Sequence, residues 1–179
     1  MPPVSRYHPA IVTAHWVVAV LVLGALFVGF VVFDAIPDAD PMKKTVIGLH
    51  IVGGLTILVL MTLRLVLRFR TARPPPAPTG NALLDRIGPI THWALYLAVF
   101  VMVGTGIATS LAAGLPAIIF MNSGAPLPKD FDMFVSCVIH GKVAWILAGL
   151  IGLHFAAALY HQFVRRDHLF RRMAFGPRS

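Results

Sequence analysis

Four histidines, His15, His50, His140 and His154, lie inside stretches otherwise apolar enough to cross a bilayer. A titratable imidazole in hydrocarbon is costly unless something binds it. Histidines at matched depths on different membrane helices are suited above all to axial ligation of a buried haem iron, since a neutral imidazole nitrogen is a strong iron ligand. Two such pairs can be drawn here, which points to a membrane cytochrome with two haems. The plainer alternative is a polar residue satisfied by a backbone carbonyl or a nearby hydroxyl. That alternative suits one histidine better than four at two depths.

The composition agrees with a membrane location. The chain has 179 residues, 58% hydrophobic and 12% charged, with mean hydropathy +0.81, whereas a soluble domain carries about 25% charged residues. Its net charge of +8 comes from 15 Lys+Arg against 7 Asp and no Glu. In an apolar chain such an excess marks loops beside lipid headgroups rather than a nucleic-acid surface. The single cysteine, Cys137, can neither close an intramolecular disulfide nor supply the roughly four thiolates of an iron–sulfur site.

A span needs about 20 mostly apolar residues, and four segments qualify: 11–33, 46–69, 90–112 and 134–163. The fold expected is an all-α membrane protein, a four-helix bundle in one domain covering residues 1–179. Between the first two helices lies the acidic, proline-broken loop Asp34 to Pro41. The second connection, Arg70 to Pro89, contains the run Arg73-Pro-Pro-Pro-Ala-Pro78 and is expected to be extended. The third runs from Pro116 to Pro128, its apolar part 117–121 placed to dip into the interface.

Charge sets the orientation. Arg6, Arg64, Arg68, Arg70, Arg73, Arg86, Arg165, Arg166, Arg171, Arg172 and Arg178 gather at one end, and Lys43, Lys44, Lys129 and Lys142 at the other. The positive-inside rule puts both termini and the proline-rich loop in the cytoplasm. The first apolar stretch is too long for a cleavable signal.

With that orientation His15 lies near the inner face and His50 near the outer. The fourth helix carries both His140 and His154, 14 residues apart, which is about 21 Å of rise and within roughly 40° of one face. His140 therefore matches His50 in depth, and His154 matches His15. Small residues sit one turn away from each: Ala19, Gly53 and Gly54, Ala144, Ala157 and Ala158. They offer clearance for a porphyrin edge, although Gly and Ala are common at membrane helix contacts in any case. Arg64 and Arg68, at i and i+4, could clamp haem propionates or serve as interfacial anchors. His92 and His161, on the same side, are an alternative ligand pair or headgroup-zone residues; His8 and His168 are terminal.

The motifs Ile11-Val-Thr-Ala-His15-Trp16, Gly48-Leu-His50-Ile-Val-Gly-Gly54 followed by Arg64-Leu-Val-Leu-Arg68, Ile139-His140-Gly141 and Gly152-Leu-His154-Phe-Ala-Ala-Ala158 resemble the bacterial cytochrome b561 family over essentially the whole chain. The similarity is greatest to its small four-helix, superoxide-oxidising branch in the bacterial inner membrane. The resemblance implies two haem b groups, ligated by His15 with His154 and by His50 with His140, and ubiquinone as acceptor, with Trp16, His92 and His161 as candidates for the quinone pocket. It also implies an oxidoreductase. Bis-histidine ligation leaves no open iron position, which suits outer-sphere transfer. Lys43, Lys44, Lys129 and Lys142 could steer superoxide, but Asp34, Asp38, Asp40, Asp130 and Asp132 share their loops. Two other classes remain open: a haem-bearing anchor subunit linking a dehydrogenase or soluble cytochrome to quinone, and a transporter using histidines for protons or metal.

Overall fold

The structure is a computed structural model that describes residues 4–75, 79–167 and 169–177. Four long apolar helices dominate it: α1 (Pro9–Ala35), α2 (Pro41–Arg70), α3 (Ala82–Ala112) and α4 (Val135–Arg165). No strand occurs among the described residues. His168, Arg178, Ser179 and the last prolines of the Arg73 to Pro78 run lie outside them.

Side-chain caps fix three of the helix starts. The Nδ1 of His8 accepts from the amide of Ala10 at 3.2 Å, Asp40 Oδ1 from Met42 at 2.8 Å, and Asn81 Oδ1 from Leu83 at 2.9 Å. Pro9 and Pro41 follow their caps at the first helical position, where a missing N–H costs nothing. The Asn81 cap makes α3 start eight residues earlier than hydropathy indicates. Its first turns are too polar for a spanning window, yet Asp85 accepts from both the amide and the hydroxyl of Thr79, at 2.6 and 2.8 Å, and ties the loop to the helix. Pro89 therefore lies inside a helix, not at the end of an extended connection.

Helices α1 and α2 pack against each other, α3 packs most extensively against α4, and α2 joins the two pairs through α3. The shared core is mostly aliphatic, with Val18 and Val22 from α1, Ile57 and Met61 from α2, Val99 and Val103 from α3 and Leu147 from α4, and one aromatic ring, Tyr96 of α3. Outward-facing positions are apolar as well: Val20 is 69% exposed and Leu97 66%. Apolar outside and inside alike is the pattern of a bundle solvated by lipid. The chain is thus a multi-pass membrane protein.

The two ends are closed differently. At one end the tail is laced to the amino terminus: Trp16 Nε1 donates to Met173 O at 2.9 Å, the Tyr7 amide to Arg172 O at 3.1 Å, and Arg6 Nη1 to Phe175 O at 2.7 Å. Arg172 in turn donates to Pro75 O at 2.5 Å. Gly176 favours this lacing, because its φ of 147° is one that other residues rarely adopt and the Arg6 guanidinium reaches to 2.6 Å from a would-be Cβ. At the other end Lys43 Nζ donates to Phe33 O at 2.5 Å and Ile36 O at 2.9 Å, and pairs with Asp38 at 3.2 Å. It supplies donors to carbonyls that the end of α1 leaves unpaired. Residues Pro116–Phe120 of the third connection form a helical turn whose Ile118 is buried with Ile47, Ala113 and Leu115.

Three substitutions separate these contributions. Leu147→Ala, at a side chain 3% exposed, should cost about 2 kcal/mol or more through the cavity it leaves, while Val20→Ala on the outer surface should be near neutral. Lys43→Met should cost about 2 kcal/mol by orphaning the carbonyls it serves. Thermal unfolding in one detergent checks all three.

Candidate functional site

The histidines meet across the gap between the helix pairs. His15 of α1 faces His154 of α4 with ring centroids 6.2 Å apart and planes at 76°. His50 of α2 faces His140 of α4 at the same 6.2 Å and 71°. The chain brings together both pairs that depth matching selects.

The surroundings of the two pairs differ. His140 Nδ1 lies 3.0 Å from Met102 O and 3.2 Å from Thr105 Oγ1, both on α3. His50 Nδ1 is buried with no hydrogen-bond partner among the described residues, and its ring lies edge-on to Phe33 at 5.3 Å. A cavity of about 1110 Å³ opens beside this pair, lined by both histidines and by Gly54 and Gly106. That volume is above the roughly 300–1,000 Å³ of ordinary small-molecule sites. Lys43, Lys129 and Lys142 line it, as do Asp34, Asp38, Asp130 and Asp132. Lys44 lies apart and donates to Ala125 O at 3.3 Å. Lys43 is engaged as the α1 cap, whereas no hydrogen bond or ion pair holds Lys129 or Lys142 among the described residues.

At the arginine-rich end His92 joins the other pair, its ring 5.2 Å from that of His154. It does not pack against His161. His161 Nδ1 bonds instead to Asp167 Oδ2 at 2.6 Å. Partial burial works against ionisation of Asp167, but the His161 bond, the Leu169 amide and the charges of His161 and Arg165 hold its carboxyl below the usual carboxylate range. Trp16 touches His15 edge-on at 5.1 Å, and its N–H is engaged with the tail. Arg64 stacks over Tyr96 at 5.4 Å and Arg68 over Trp93 at 5.2 Å. The Nε atoms of both arginines are buried and unpartnered, so an acceptor placed there would satisfy them.

Beyond His92, the contribution of α3 was not legible in the sequence. Tyr96, Trp93, Met102 and Thr105 carry no ligand motif, and a Gly-Thr-Gly step at 104–106 in an apolar helix was the available signal.

The chain is 29% identical to the probable superoxide oxidase CybB of Yersinia pestis over 174 residues, 94% of this chain and 96% of the relative. It is 28% identical to cytochrome b561 homolog 2 of Escherichia coli (strain K12), covering 94% of this chain and 91% of the relative. Cytochrome b561 homolog 1 of the same organism is 21% identical, covering 94% and 97%. Residues 6–176 match the family described as prokaryotic cytochrome b561, and the chain therefore belongs to that family of haem b-binding, electron-transferring membrane cytochromes.

Proposed function

We propose that this cytochrome carries two haem b groups, one between His15 and His154 and one between His50 and His140, and passes electrons from superoxide to ubiquinone. The observation that carries the reading is the equal spacing of the two pairs. Both pairs hold their ring centroids 6.2 Å apart across the gap between the helix pairs, and each pair would offer two neutral imidazole nitrogens to one haem iron. The donor set fits as well. The unpartnered Nε atoms of Arg64 and Arg68 are suited to the carboxylates that a haem would bring.

When bound, haem b supplies reversible one-electron chemistry. Two superoxide anions would give two electrons and leave as dioxygen, and one ubiquinone would take those electrons with two protons. The protein's share is placement. Lys129 and Lys142 offer charge to an anion entering the cavity beside His50 and His140. The cavity's three lysines are outnumbered by four aspartates, so attraction must be local to these two cations. At the opposite end His161, held by the Asp167 carboxylate, is chemically suited to hand a proton to a quinone, with His92 and Trp16 beside His154 and His15. Eleven arginines against four lysines support a cytoplasmic location for that end and both termini.

Replacing His50 or His140 by Ala should remove one haem of two, and replacing His15 or His154 should remove the other, read as haem b per chain. A variant in any of the four that keeps both haems contradicts the assignment.

Charge reversal at Lys129 and Lys142 should slow superoxide reduction of the protein severalfold with the spectrum unchanged. In the wild type that rate should fall as salt screens beyond about 8 Å. Reduction by a partner dehydrogenase or by quinol, with none by superoxide, would favour the anchor-subunit reading.

A further inference from the structure

The environment of His140 holds information that the pairing of histidines does not use. Its Nδ1 is 3.0 Å from the carbonyl oxygen of Met102. A carbonyl can only accept, so Nδ1 must carry the proton, and Nε2 is the nitrogen left with a lone pair. Thr105 Oγ1 stands 3.2 Å from the same Nδ1, while its own hydroxyl is within donating distance of Val101 O at 2.8 Å and Met102 O at 2.9 Å. A hydroxyl that gives its hydrogen to either carbonyl turns a lone pair toward the ring. Gly106 completes the arrangement: a Cβ there would come within 3.2 Å of His140 Cε1 and 3.5 Å of Nδ1, so glycine permits the ring to lie against α3.

We propose that Met102 O, Thr105 Oγ1 and Gly106 form a cradle on α3 that fixes the tautomer and plane of His140 and lowers the reduction potential of the haem it holds. The proposal rests on His140 being a haem ligand. Thr105 is a positioning residue, acting through His140. An N–H···O bond at the far nitrogen makes an imidazole a more basic ligand, and a more basic ligand favours the oxidised iron. His50 has no such partner at Nδ1, so the cradle acts on one side of one haem.

Thr105→Val keeps the β-branched shape and removes one of the two acceptors at His140 Nδ1, leaving Met102 O. In the full-length protein with haem bound, it should raise the midpoint potential of one haem, shift that haem's low-spin ferric EPR signal and leave the other unchanged. Thr105→Ser should restore wild-type values. Gly106→Ala, which turns the ring without touching the hydroxyl, should move the same EPR signal. His140→Ala identifies the haem concerned. If His140→Ala loses one haem while Thr105→Val and Gly106→Ala both match wild type in potential and EPR, the cradle is overturned and the ligand assignment stands. If His140→Ala keeps both haems, the assignment beneath it fails.

Discussion

An imidazole cannot be left idle in hydrocarbon, and four of those in this bundle form facing pairs. Two resolve into facing rings at one depth and two at another, each 6.2 Å apart. The rest of the architecture is arranged around keeping those facings open. Helices α1 and α2 pack together, as do α3 and α4, while His15 and His154, and His50 and His140, meet across the space between the pairs. Aliphatic side chains from all four helices hold the middle of the bundle at fixed spacing. A close-packed interior resists small displacements, which is what a pair of ligands on separate helices requires.

The two ends serve this frame in different ways. The tail, the amino terminus and the second connection are tied together by hydrogen bonds to main-chain carbonyls, closing the arginine-rich end over His15, His154 and His92. At the other end Lys43 is engaged in capping α1, and the cavity beside His50 and His140 opens between loops of mixed charge. In the proposed reaction, substrate attraction and helix capping would draw on different lysines there. A count of charges would merge them.

Helix number and the depth pairing were legible in the sequence because both follow from strong, periodic signals: runs of apolar residues long enough to span, and a 14-residue interval that returns to one helix face. The start of α3 was not. Asn81 and Asp85 build a capped first turn from residues too polar for a hydropathy window. The proximity of His92 to His154 and the role of Thr105 depend on how α3 is rotated against α4, which apolarity on every face leaves undetermined. The commitment of Lys43 was hidden for a similar reason, since its partners are backbone carbonyls that no side-chain pattern reveals.

The proposed reaction needs two cofactors, one for each facing pair. The most direct measurement is the amount of haem b per chain in protein purified from membranes, taken from the reduced-minus-oxidised spectrum against protein concentration. Two haems per chain is the result the account predicts. One haem per chain, or none, would contradict it.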